Sequence, residues 1–169
     1  MRRWLVLHLI PILLVLASPA VAEKVLVLGL DGLDPDLLAE YRASGVMPTI
    51  DRLVDAGWDL RELGTTMPPQ SPVAWSTFIT GMNPGGHGIY DFIHRDPSGP
   101  LPYLSGSEVR PPTDHWSVGE YRLPRGEPTV INRRHGTAFW TLLDEAGVDA
   151  TVFKVPANFP PAECEARTL

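Results

Sequence analysis

Two side chains carry the chemistry that this sequence offers most directly. Asp31 follows an apolar run, EKVLVLGL (23–30), and Ser71 precedes Pro72 at the start of a helical stretch. A carboxylate at the end of a strand, followed by a glycine that lets backbone or ligand come close, can hold a cation or a proton. Asp-Gly pairs also begin turns, so both readings of Asp31 stand on spacing alone. Ser71 is open in the same way. A serine before proline at a helix start is a good N-cap, yet the free N–H groups and positive dipole end that reward a cap also stabilise an anion. A phosphoryl group arriving at Ser71 Oγ would sit in that field. A serine hydroxyl is a poor nucleophile without a base or a metal. No histidine base lies nearby, so metal activation through Asp31 is the economical route.

The other candidates have simpler explanations. Asp34 before Pro35 is explained by N-cap duty. His87, in a Gly-Gly-His-Gly turn, is most simply a histidine bonding nearby backbone. His94, His115 and His135 lack the i, i+4 or paired-cysteine spacing of a zinc site. Trp75, Phe78 and Ile79 belong to helix packing. Arg133, Arg134 and Asn158 could each meet a substrate, but polar loop positions explain them equally well.

The elements that must position Asp31 and Ser71 follow from punctuation and periodicity. EKVLVLGL resembles a strand buried on both faces, as in a parallel sheet. Asp34-Pro35 then opens a short helix, DLLAEYRAS, stopped at Gly45, and Pro48 to Ala56 forms another, stopped by Gly57. Trp58 to Leu63 is a candidate second strand, Gly64 to Gln70 a turn-rich loop, and Pro72 to Thr80 a helix stopped by Gly81. Residues 95–132 are rich in proline and glycine without sustained periodicity, which predicts an elaborated loop or long hairpin over one face rather than a second domain. A helix over AFWTLLDEA (138–146) and a strand from Ala150 to Val155 follow. Alternating helices and hydrophobic strands predict an α/β fold with a mostly parallel sheet. Only three strands are visible, against about 5–6 in an average sheet. The expectation is therefore that residues 23–169 are the amino-terminal part of a single domain.

Composition sets the compartment and excludes some partners. The chain has 169 residues, 44% of them apolar and 20% charged, as globular proteins have. Arg2 and Arg3, an apolar run from Trp4 to Leu16, and small residues at Ala20-Val21-Ala22 predict that residues 1–22 are a signal peptide and the protein is exported. The alternative is an uncleaved anchor, since a spanning helix needs about 20 residues. His8, Pro11, Ser18 and Pro19 argue against it, so no stable membrane span is expected after cleavage. Removing Arg2 and Arg3 takes the formal net charge from −6 to −8. That offers no electrostatic footprint for nucleic acid. A single cysteine, Cys164, allows no internal disulfide.

Together, VLGLDG, VMPTIDRLVDAG and PPQSPVAWSTFITGMNPGGHGIYDF resemble the amino-terminal part of the alkaline phosphatase superfamily, with the type I phosphodiesterase and nucleotide pyrophosphatase group as the closest branch. RRHGTAFWTLLDEAGVDATVFKVPANFPP is similar to bacterial members of that group. The resemblance implies an alkaline phosphatase-like three-layer fold. It implies that Ser71, ten residues before Gly81, is the nucleophile and, held as an alkoxide, a metal ligand, and that Asp31 is a second ligand. It further implies two divalent metal ions, Zn2+ or alternatively Mn2+, and a covalent phosphoseryl intermediate formed by in-line displacement at phosphorus. The implied substrate is a phosphorylated small molecule or a lipid-like ester.

Two departures qualify the resemblance. Phe92 stands where nucleotide pyrophosphatases carry an asparagine that contacts the phosphoryl oxygen, and the family's remaining metal ligands fall in a carboxyl-terminal half that lies beyond Leu169. The sulfatase branch is disfavoured by Val73 and Trp75, where it carries proline and arginine. The leading expectation is a metal-dependent hydrolase of phosphoric esters, incomplete in this chain. A transferase of phosphorylated head groups and a non-catalytic exported binding module are the alternatives.

Overall fold

The computed structural model describes residues 24–168, so the expected signal peptide lies outside the described residues. Residues 24–30 have no regular structure and lead into a turn at Asp31 and Gly32. Helix α1, Pro35–Ala43, is capped by Asp34, whose Oδ1 accepts from the N–H groups of Asp36 (2.9 Å) and Leu37 (3.0 Å). Helix α2, Pro48–Asp55, is joined to it by the Arg42–Asp51 ion pair at 2.8 Å. Neither helix buries a residue fully.

Helix α3, Ser71–Thr80, is different, because Val73, Ser76 and Ile79 are buried. It ends at Gly81, whose φ of +66° closes the helix in the left-handed conformation that costs a glycine nothing. A single helical turn, α4, Pro84–His87, follows, with Asn83 Oδ1 accepting from Gly86 N–H at 2.9 Å.

Six short strands occupy residues 93–132: β1 (Ile93–Arg95), β2 (Pro102–Leu104), β3 (Ser107–Arg110), β4 (His115–Val118), β5 (Tyr121–Pro124) and β6 (Thr129–Asn132). They pair antiparallel as β1–β2, β3–β6 and β4–β5, the last a hairpin nested between β3 and β6. Helix α5 (Phe139–Glu145) and strands β7 (Thr151–Val152) and β8 (Arg167–Thr168) complete the chain, with β7 and β8 paired in parallel. The core cluster joins Ile79 of α3 to Ala138, Trp140 and Val152. It therefore packs the helix that begins at Ser71 against the carboxyl-terminal third.

The mostly parallel sheet expected from the sequence is not built by the described residues. Of the strand expected over Glu23 to Leu30 the described residues 24–30 form none, Trp58 to Leu63 is not a strand, and the strand expected over Ala150 to Val155 shrinks to Thr151–Val152. A strand buried on both faces needs flanking strands and covering helices, and one lacking them is marginal in water. Val25 is 84% exposed and Leu26 91%, so the described residues do not supply that cover. The three longer helices survive because a helix closes its own backbone hydrogen bonds locally.

Candidate active site

Ser71 is the first residue of α3 and not its cap, since the N-cap position falls to Gln70. The difference shows in the hydrogen bonds more than in the boundary. The N–H groups of Val73 and Ala74 both donate to the Gln70 carbonyl, at 3.0 and 2.9 Å, and Pro72 has no N–H to offer. Ser71 Oγ instead donates to Asp31 Oδ2 at 3.0 Å, across 40 residues of chain. Of the two uses open to Ser71, its side chain does not make the capping bond here. The same pattern trims the expected anion cradle: the helix dipole remains, but only the Ser71 N–H is left without a backbone acceptor in this first turn.

Asp31 does begin a turn, yet its side chain serves no local turn bond. Its second oxygen, Oδ1, accepts from Trp75 Nε1 at 3.3 Å. Ser71 and Trp75 are four residues apart on α3, which places both side chains on one helical face, one above the other. The indole also packs against Gly29, where a Cβ would collide with the ring. The sequence places Trp75 with Phe78 and Ile79 in helix packing, and the indole N–H adds a polar contact to that role. Its i, i+4 relation to Ser71 is the signal that marks it as a donor to the same carboxylate.

The remaining sequence candidates divide between structural and unsatisfied roles. His87 is fully buried; its Nδ1 accepts from Ile89 N–H at 3.1 Å, so Nε2 carries the proton and donates to Thr77 Oγ1 at 3.0 Å. Burial, and then the charge of Arg134, holds the His87 imidazole below its usual pKa, which keeps it neutral. It is a histidine that pins the turn to α3. Arg133 pairs with Glu108 at 3.0 Å and lies 4.3 Å over the Tyr103 ring. Arg134 Nε and Nη1 and Asn158 Oδ1 are buried without a partner among the described residues, and desolvation lowers the guanidinium's pKa. His94 accepts from Tyr90 N–H at 3.1 Å, and His115 Nδ1 lies 3.3 Å from the Thr113 carbonyl. Phe92 is 59% exposed.

Asp31 and Ser71 fit one edge of a divalent-cation site. Two oxygen ligands at about 2.0 Å from a tetrahedral ion lie roughly 3.3 Å apart, close to the 3.0 Å seen here. No group of three or more histidine, cysteine, aspartate or glutamate side chains gathers among the described residues. The described residues therefore offer two oxygens that could serve one ion and no donor set for a second.

The helix-opening Ser71 donates its hydroxyl hydrogen to a carboxylate on a neighbouring segment, 40 residues away in the chain. The chain belongs to the type I phosphodiesterase / nucleotide pyrophosphatase family, whose model matches residues 25–167, and so to the alkaline phosphatase superfamily. That membership carries an alkaline phosphatase-like fold, a generally metal-dependent phosphoester hydrolase activity and phosphorylated substrates at the level of the family. No curated protein and no solved structure matches the chain. Among the described residues no helix is long and apolar enough to cross a membrane.

Proposed function

We propose that this protein is an exported, divalent-cation-dependent hydrolase of phosphoric esters that works through a covalent phosphoseryl intermediate at Ser71. The observation that carries the reading is the 3.0 Å hydrogen bond from Ser71 Oγ to Asp31 Oδ2, made by a serine freed from capping. With its hydrogen directed at Asp31, the hydroxyl keeps its lone pairs for an incoming phosphorus. Ser71 Oγ forms the bond to phosphorus while the opposite ester oxygen leaves with its electron pair, and the Oγ proton passes to Asp31 Oδ2 or to solvent. Water then displaces Ser71 Oγ, which regains a proton and releases the phosphorylated product.

Asp31 and Ser71 would hold the cation, and when bound it supplies the positive charge that lowers the hydroxyl's pKa and offsets charge on the phosphoryl oxygens. Zn2+ suits this role, with Mn2+ as the alternative; a second ion would draw its ligands from outside the described residues. The exported location rests on the leader-like residues 1–22.

The test is turnover of a chromogenic phosphate diester together with metal content. Asp31→Ala is expected to lose both bound Zn2+ and turnover, while full turnover in that variant would contradict the reading. Adding an alcohol acceptor separates a hydrolase, which releases phosphate or a monoester, from a head-group transferase, which yields a new ester.

A further inference from the structure

The geometry points to Trp75 as a positioning residue of this site: its indole N–H fixes the Asp31 carboxylate so that the other oxygen meets Ser71. The inference rests on the reading of Ser71 and Asp31 as the reaction centre and adds a residue to it. Asp31 lies in an exposed turn, where a carboxylate is free to rotate and its hydrogen bonds compete with water. Here both oxygens are engaged by one helix face, Oδ1 by Trp75 Nε1 and Oδ2 by Ser71 Oγ. An ionised carboxylate has about four acceptor positions. Two donors from α3 leave the outward lone pairs for a cation.

The indole can do this because its own orientation is set by packing. Its ring meets Phe78 edge-to-face at 5.8 Å, Phe78 meets Phe139 at 5.5 Å, and Phe139 meets the buried Trp140 at 5.1 Å. The chain of rings runs from Asp31 to the core and fixes the direction of the N–H, as edge-to-face pairs do. Gly29 is the other half of the device. It stands two residues before Asp31 and offers bare backbone to the ring, so the turn and the helix approach as closely as the hydrogen bond needs. Partners that orient a ligand from behind are commonly worth about 10- to 100-fold in metal affinity.

The test reads the hydrogen bond without requiring activity. In a 1H–15N spectrum of the full chain, the Trp75 indole resonance is assigned by its loss in Trp75→Phe. Asp31→Asn should shift that resonance and leave the other four indoles in place, and Zn2+ should move it in step with binding. Zn2+ affinity should fall about tenfold in Trp75→Phe, with kcat reduced more than KM is changed. Should that variant fold poorly, a benzothienyl-alanine placed at position 75 keeps the ring shape and removes only the N–H. Gly29→Ala should reproduce the loss in the wild-type background and add nothing once Trp75 is alanine. An indole resonance indifferent to Asp31→Asn overturns the inference, as does a Trp75→Phe protein with unchanged Zn2+ affinity. Loss of metal in Asp31→Ala beside such a result would leave the reaction centre standing and remove Trp75 alone.

Discussion

The run VLVLGL (25–30) and the stretch from Ser71 to Ile89 are both rich in apolar side chains, yet Leu26 is 91% exposed while Ile79 and His87 are 0% exposed. The difference lies in where each obtains its hydrogen bonds. Helix α3 satisfies its backbone internally, and His87 closes the following turn against Thr77, so this region needs no strand pairing before its apolar face packs on Trp140 and Val152. Residues 24–30 carry the composition of a central strand but pair with nothing among the described residues. Apolar composition therefore positions a residue only where the backbone beneath it is satisfied. Asp31 is held at the site by bonds from α3, not by a sheet.

That contrast can be broken by substitution. Ile79→Ala removes a fully buried side chain that packs on Trp140 and Val152, and should cost about 2–5 kcal/mol in chemical denaturation; a loss under about 1 kcal/mol would show that the core is not where the structure places it. His87 adds a pH-dependent part. Its folded pKa lies below the unfolded value near 6.5, so the unfolded chain takes up the proton first as the medium is acidified. Its contribution is complete above about pH 6.5 and is lost as pH falls from there toward the folded pKa. Urea unfolding at about pH 7.5 and about pH 5.5 should show that decline, and His87→Gln should flatten it. An equally steep decline in the variant would assign the titration to another group.

Smaller effects sharpen the other side. Asp34→Ala removes two backbone bonds at the start of α1 and should cost about 1 kcal/mol, read as a lower denaturation midpoint or lost helical dichroism. Leu26→Ala should change stability by less than about 0.5 kcal/mol, because the side chain is already in water. A large loss there would mean that residues 24–30 find a covering partner in solution.

Legibility followed the same division. The helices at Pro35–Ala43, Pro48–Asp55 and Ser71–Thr80 were readable because proline, a capping aspartate and the stop glycines act within a few residues of one another. Strands depend on partners far along the chain, and nothing in EKVLVLGL or in Trp58 to Leu63 says whether those partners are present. The ladders within residues 93–132 escaped periodicity because each strand is three or four residues long and Tyr121–Pro124 is exposed throughout. At the site, the residue types of Asp31 and Ser71 singled them out, and the structure brings them together. Trp75 did not stand out, since an indole donor is invisible in an apolar pattern until the carboxylate it meets is known.

The Ser71 hydroxyl can serve as a cap or as a nucleophile, and one substitution separates the two uses. Ser71→Ala should leave stability within about 0.5 kcal/mol of wild type, because Oγ accepts no helix N–H and its one bond, to Asp31, is exposed to solvent. The same variant should lose diesterase turnover by at least about 10³-fold and take up no phosphoryl group. A protein destabilised by about 1 kcal/mol or more that still turns over substrate would return Ser71 to the role of a cap and contradict the account.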